Sequence, residues 1–346
     1  MSLPGSPFGY ANGSRHAYGS VDLGTHNCRM LIGLPNGRGF QVVDSFSRVV
    51  RLGEGLYESG RLSEASMQRA IAALHGCAER ARRFGIALKP RLRALRVVAT
   101  EACRQAENGA EFVARACSET GLPLAVISPR EEAELVLESC ASLLRGAGRR
   151  ALLFDIGGGS TEIAWVRLDN AGGSPQLIGY VSLPLGVVTL AERCKNACYS
   201  EAGFTRVIAD VLGLLRPFEA VHHISREIRE GGVLMVGTSG TVTTLAGVWL
   251  KLDRYRRHLV DGLSLSREAV ETALSQTRRL GREGLVSHPC IGAGRADYVL
   301  PGCAVFAAIH ELWPIPQVIV ADRGLREGML LRLMRAAPAS TRSIAP

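Results

Sequence analysis

The sequence predicts an α/β fold made of two like domains facing each other across a cleft, and three observations predict it. The punctuation Val21-Asp22-Leu23-Gly24-Thr25 returns as Phe154-Asp155-Ile156-Gly157-Gly158-Gly159-Ser160-Thr161-Glu162. Each time a hydrophobic run ends on Asp, turns through Gly and hydroxyl residues, and enters a second β-type run, which fits strand, tight turn, strand. The elements after each hairpin recur in the same order. A chain of 346 residues also exceeds what one core organises.

Taken in order, Tyr18–Leu23 and Arg29–Leu34 form the first hairpin, and two further β-like runs follow at 39–46 and 49–52. A helix is expected from Ser63 as N-cap to Phe84, then a strand at 95–99. Asn108 opens a helix with Glu111 at the capping-box position, and Leu124–Ile127 is the next strand. In the second half, strands are expected at 152–155, 162–167 and 176–183, with helices near 187–194 and 204–218. Val233-Leu234-Met235 reads as a strand leading through Val236-Gly237-Thr238-Ser239-Gly240-Thr241 into an apolar helix. Val318–Ala321 and a closing helix complete the domain. The expected boundaries are 18–140 and 141–336, with flexible tails at 1–17 and 337–346.

Composition narrows the function. With 41 Lys plus Arg against 32 Asp plus Glu, the chain carries +9, which favours a polyanionic partner. Aromatic content is only 5% and no nucleic-acid module is present, so a phosphate-rich small or linear substrate is preferred to nucleic acid. The 9 cysteines show no CxxC pair and read as buried thiols of a cytoplasmic protein without zinc. No signal peptide or membrane span is expected.

Glycine turns bring backbone N–H groups close to an anion, so Gly24 with Thr25 and Asn27, Gly157–Ser160, and Gly237, Ser239, Gly240 and Thr241 are the candidate phosphate loops. Gly158 and Gly159 lie at the centre of the second. Asp22, Asp155 and Glu162 are hard oxygen donors suited to Mg²⁺. In Ser128-Pro129-Arg130-Glu131-Glu132, Ser128 fits an N-cap, Pro129 the first helical position, and Glu131 a capping box. Glu132 is either a first-turn carboxylate favoured by the helix dipole or a general base for water. Its place between the loops favours the base.

These residues resemble the exopolyphosphatase and guanosine pentaphosphate phosphohydrolase (Ppx/GppA) family, of the short two-domain type. The resemblance rests on ordered motifs that include VDLGTHNCRMLI, VATEACRQAENG, VISPREEAEL, LLFDIGGGSTEI, SLPLGVVTL, VGTSGTVTTLAG and ADRGLREGML. It implies two ribonuclease H-like domains of the actin, sugar kinase and heat-shock ATPase superfold. It also implies Mg²⁺-dependent release of terminal phosphate from inorganic polyphosphate, from pppGpp, or from both. Under it Glu132 is the base, Asp22, Asp155 and Glu162 belong to the metal site, and Arg104 contacts substrate phosphate. The usual Ser-Asn-Ser after the first Asp-x-Gly is here Thr25-His26-Asn27, which alters the phosphate contacts of loop one. A small-molecule kinase of the same superfold and a non-catalytic (p)ppGpp sensor are the rival readings. A homodimer is compatible with all three.

Overall fold

The structure is a computed structural model describing residues 16–37, 39–88, 94–145, 148–169 and 173–337. The expected tails lie almost wholly outside these. The chain forms two compact units: the described residues up to Ile127 together with those from Leu325 onward, and Ser128–Gly324.

In the first unit five strands, β1 (Tyr18–Leu23), β2 (Asn27–Asn36), β3 (Gly39–Val49), β4 (Leu95–Ala99) and β5 (Leu124–Val126), form one sheet in the order β3-β2-β1-β4-β5. Pairing is antiparallel from β1 through β3 and parallel from β1 through β5. The pair of runs expected at 39–46 and 49–52 is one continuous strand ending at Val49, because Phe46, Ser47 and Arg48 keep their pairing with β2. Helix Glu64–Arg83 starts as expected, with Ser63 Oγ accepting from the Ser66 N–H at 3.2 Å. Asn108 does not cap its helix. Its amide instead clasps Leu62, accepting from the Leu62 N–H at 2.9 Å and donating to the Leu62 carbonyl at 3.0 Å. That long-range use of a buried amide outweighs the local capping box.

The second unit repeats this arrangement with β6 (Arg150–Ile156), β7 (Thr161–Arg167), β8 (Gln176–Leu183), β9 (Val233–Thr238), β10 (Ser264–Ser266) and β11 (Gln317–Ala321). Its order is β10-β11-β9-β6-β7-β8, the same inner sequence with the short antiparallel β10 added at the edge. Both units are therefore ribonuclease H-like. Alternation sorts β6 and β7 into two faces: Leu152, Phe154, Ile156, Ile163 and Trp165 enter the large core, while Ala151, Leu153, Ala164 and Val166 pack with Ala133, Val136, Leu137 and Cys140 of helix Pro129–Cys140. The large core is finished by helix Ala296–Leu312, buried along most of its length and carrying Pro301 inside it. That helix was not delineated from the sequence, since an element apolar on every side has no amphipathic period to read.

Two boundaries move. Helix Pro129–Cys140, assigned from the sequence to the first domain, belongs to the second unit, and the closing helix Leu325–Ala336, assigned to the second domain, belongs to the first. The closing helix places Leu330 and Met334 against Tyr18 and Leu31, an apolar contact that nothing local in the chain announces.

Candidate functional site

The two hairpins are closed by the same bond: Gly24 N–H donates to the Asn27 carbonyl, and Gly157 N–H to the Ser160 carbonyl, each at 2.9 Å. What holds them from outside fixes where their amides point. In the second unit the carbonyls of Gly157 and Gly158 accept from the N–H groups of Val187 and Val188 at 2.9 and 2.8 Å, and the Gly159 carbonyl accepts from Thr189 Oγ1 at 3.3 Å. A trans peptide aims its N–H opposite to its carbonyl, so the amides of Gly158, Gly159 and Ser160 all face away from that helix. Three successive N–H groups turned to one side form an anion-binding concavity. Gly186 makes the clasp feasible, because a Cβ there would lie 2.3 Å from the Gly158 carbonyl group.

The first-unit loop is held in the same sense. The His26 carbonyl accepts from Val50 and Arg51 at 2.9 and 3.0 Å, and the Thr25 carbonyl accepts from Gly53 at 3.0 Å. The amides of His26 and Asn27 consequently point the other way. Thr25 itself is buried against Gly53, and so serves the clasp.

The third loop follows β9. Gly237 is pressed on Phe154, where a Cβ would come 2.4 Å from the ring. Ser239 adopts φ 116°, a region that L-residues avoid, and its Oγ accepts from the Thr241 N–H at 3.2 Å. Helix Gly240–Trp249 then begins with the Gly240 carbonyl held by Arg295 Nη2 at 2.7 Å and by Thr244 Oγ1 at 2.6 Å. Its first turn contains no acidic residue, and Ser239 Oγ is the neutral cap on the positive end of the helix.

Strand register places the carboxylates. Asp155 on β6 stands directly opposite Glu162 on β7 and opposite Thr238 on β9, while Glu162 stands opposite Ser182 on β8. Ser182, Glu162, Asp155 and Thr238 therefore form one polar row across four strands. The row lies on the face that carries Ala164, Leu153 and Val236, the face on which helix Pro129–Cys140 packs. Glu162 is 5% exposed, and its Oε1 accepts from Ser160 Oγ at 2.6 Å and from Ser182 Oγ at 2.9 Å. The Ser160 hydroxyl proton is thus committed to Glu162, and Ser160 offers an incoming anion its backbone amide.

Glu132 lies in the first turn of helix Pro129–Cys140, whose N-cap is Ser128, with its Oγ accepting from the Glu131 N–H at 3.1 Å. Glu132 is 9% exposed, whereas Glu131 beside it is only half-buried. A carboxylate buried on a helix face otherwise occupied by Leu135, Val136 and Ser139 exceeds what a dipole partner requires. On the same helix, burial pushes the Cys140 thiol up to about 12, so it packs as a neutral group.

In the first unit Arg104 is held by its own neighbours. Nε donates to Glu101 Oε2 at 2.9 Å, Nη2 lies 2.7 Å from the same oxygen, and Nη1 donates to the Ile127 carbonyl at 2.8 Å. Glu101, buried and also accepting from Gln105 at 2.6 Å, was not singled out from the sequence. Nor were Ser182 and Gly186, and Thr238 was read only as a member of the third loop, not as a neighbour of Asp155. The strand parity of Ser182 and Thr238 relative to Glu162 and Asp155 is a signal, but only once register is known. Of the neighbouring basic residues Arg254, Arg256, Arg257 and His258, Arg256 pairs with Asp253 at 2.9 Å and Arg257 with Asp322 at 3.5 Å.

Among the described residues no three His, Cys, Asp or Glu side chains gather as a metal-holding group. The donor set of the polar row still suits Mg²⁺, which takes one or two carboxylates and completes its octahedron with water and substrate oxygens. Two opposed carboxylates in register repel each other, and a divalent cation answers that repulsion. Among the described residues no helix is long and apolar enough to cross a membrane.

A sequence model of the Ppx/GppA phosphatase family matches residues 34–337. The chain belongs to the Ppx/GppA phosphatase family. Solved structures agree with this assignment. An exopolyphosphatase-like protein is 28% identical, with 91% of this chain and 97% of that one covered, at a TM-score of 0.76. The Aquifex aeolicus Ppx/GppA family member is 26% identical over 93% of this chain and 99% of that one, at 0.73. An exopolyphosphatase from Cytophaga hutchinsonii, 20% identical, shares the fold at 0.77 over 93% and 99%. Family membership makes the chain a phosphatase-type hydrolase.

Proposed function

We propose that the protein is a Mg²⁺-dependent exopolyphosphatase that hydrolyses the terminal phosphoanhydride of inorganic polyphosphate, and that it also converts pppGpp to ppGpp. The observation that carries this reading is the polar row of the second unit. Paired carboxylates there adjoin a glycine loop whose amides of Gly158, Gly159 and Ser160 share one direction. Phosphoryl transfer asks the protein mainly for positioning and for charge stabilisation, and this arrangement supplies both.

In this reading the terminal phosphate rests on the amides of Gly158, Gly159 and Ser160 and on the N-terminus of helix Gly240–Trp249. Asp155 and Glu162 hold the cation, which when bound neutralises phosphate oxygens and the charge that develops on the leaving chain. Asp22, the cation ligand expected in the first unit, forms that unit's phosphate loop together with the amides of His26 and Asn27. Glu132 orients a water and accepts its proton as the water oxygen bonds to the terminal phosphorus. The bridging P–O bond breaks and the shortened chain leaves with its electron pair. Arg104, fixed by Glu101, contributes its positive charge toward phosphate.

The test is phosphate release from long-chain polyphosphate and from pppGpp, measured side by side with Mg²⁺ and with Glu132→Gln as the blank. Release from polyphosphate that depends on Glu132 supports the proposal. Release from pppGpp alone would make pppGpp the substrate, and release from neither would favour the (p)ppGpp sensor.

A further inference from the structure

Thr238 is 1% exposed, and its Oγ1 is a buried side-chain oxygen with no hydrogen-bond partner. Thr238 ends β9, where register sets it between Asp155 on β6 and Ala321 on β11. A parallel sheet interior favours β-branched residues, and valine has the same shape as threonine. A threonine here therefore brings nothing to packing that valine would not, and it leaves a desolvated hydroxyl unsatisfied. The remaining row hydroxyls are used, since Ser160 and Ser182 both donate to Glu162. Within the row only the hydroxyl of Thr238, the residue in register with Asp155, is spare. Buried orphan groups of this kind collect where a structure serves a ligand at some expense to its own stability.

We propose that Thr238 is a positioning residue for the cation. Its hydroxyl donates to the Asp155 carboxylate and fixes that side chain's rotamer when Asp155 turns to ligate a divalent ion. Ser160 and Ser182 fix Glu162 on the other side of the row in the corresponding way. The inference rests on the reading of Asp155 as a cation ligand given above. It adds that the second unit holds its two carboxylates by hydroxyls from both flanking strands, one set engaged before the cation arrives and one engaged with it.

The experiment compares Thr238→Val, Thr238→Ser and Asp155→Asn with the unaltered protein. Melting temperature is measured without metal, and Mn²⁺ affinity is measured by electron paramagnetic resonance. The expected result is that Thr238→Val melts at or above the unaltered protein without metal yet binds Mn²⁺ five- to twentyfold more weakly, while Thr238→Ser keeps affinity within twofold. A Thr238→Val protein that melts lower without metal would show that the hydroxyl serves the fold, and Mn²⁺ affinity unchanged in that variant would equally overturn the proposal. If affinity collapses in Asp155→Asn but not in Thr238→Val, the role of Thr238 alone is wrong. If neither variant changes affinity, the reading of Asp155 fails and the inference falls with it.

Discussion

The hairpin of the first unit and that of the second share a backbone and differ in charge. Both close through a Gly N–H at 2.9 Å, and both are clasped from one side through their carbonyls. Yet the row through Asp155 reads Ser182, Glu162, Asp155, Thr238, whereas the corresponding row through Asp22 reads Ser47, Arg29, Asp22, Val98. In the second unit two carboxylates oppose each other between hydroxyls, an arrangement that calls for a cation. In the first, register sets Arg29 opposite Asp22, so that row carries one carboxylate and one guanidinium in place of two carboxylates. In the proposed reading the second hairpin serves a cation together with phosphate, and the first serves mainly phosphate.

The loops after β4 and β9 diverge in the same sense. Beyond β9 a ten-residue helix starts on Gly240 with no acid in its first turn. Beyond β4 the helix Glu101–Gln105 has five residues and starts on a buried glutamate tied to Arg104. One helix starts with a neutral serine cap and no acid in its first turn, and the other starts on a glutamate that binds Arg104.

The largest expected effect sharpens the comparison from the second unit. Glu132→Gln should lower kcat by about 10³-fold, in the range for loss of a general base, while circular dichroism stays unchanged. A rate within threefold of the unaltered protein would remove Glu132 from the chemistry.

The clasps offer a matched pair next. Gly186→Ala places a Cβ 2.3 Å from the Gly158 backbone, while Gly53→Ala places one 2.4 Å from the Thr25 Cγ2 methyl. Backbone cannot yield as a side chain can, so Gly186→Ala should cost about 100-fold in activity, in line with the sensitivity of catalysis to misplacement of about 1 Å. Gly53→Ala should cost clearly less. Equal losses in a phosphate-release assay would mean that both loops are held with equal stringency.

Arg104 tests whether the first unit has turned its charges inward. Arg104→Ala leaves Glu101 buried without its guanidinium, and should destabilise by about 3 kcal/mol, near the low end for a broken buried pair because both side chains keep slight exposure. Chemical denaturation of Arg104→Ala and of the double variant with Glu101→Gln checks this. If the double variant recovers no stability, the pair is not what holds Arg104.

A smaller effect concerns the like-charged pair. Glu162→Gln removes repulsion with Asp155 and should raise metal-free stability by about 0.5 kcal/mol while lowering activity. A fall in metal-free melting temperature would indicate that the two hydroxyl donors to Glu162 outweigh the repulsion.

The smallest is a null result. Burial pushes the thiols of Cys103, Cys140, Cys198 and Cys303 up to about 12. The raised values keep them as neutral thiols throughout the physiological range, and they should resist iodoacetamide at pH 8 in the native protein. Rapid labelling of any of them by mass spectrometry would contradict this packing.

Both hairpins were legible in the sequence because their signal is local, an Asp ending an apolar run followed by Gly. The N-caps at Ser63 and Ser128 were legible for the same reason. Ser182 and Thr238 were not, since their place beside Glu162 and Asp155 depends on which strands pair and in what register. Asn108 misled because its amide is used by Leu62, 46 residues away. The closing helix misled because Leu330 and Met334 pack on Tyr18 and Leu31 at the other end of the chain. Local chemistry marked the loops, and non-local pairing decided which carboxylates face each other.

The most direct measurement is a Mg²⁺ titration of phosphate release from long-chain polyphosphate by the unaltered protein, Asp155→Asn and Asp22→Asn. The account predicts that Asp155→Asn raises the half-saturating Mg²⁺ concentration about tenfold or more, equivalent to at least about 1.4 kcal/mol, and that Asp22→Asn shifts it less than about threefold. Equal shifts in the two variants, or a larger one in Asp22→Asn, would contradict the division of labour between the two hairpins.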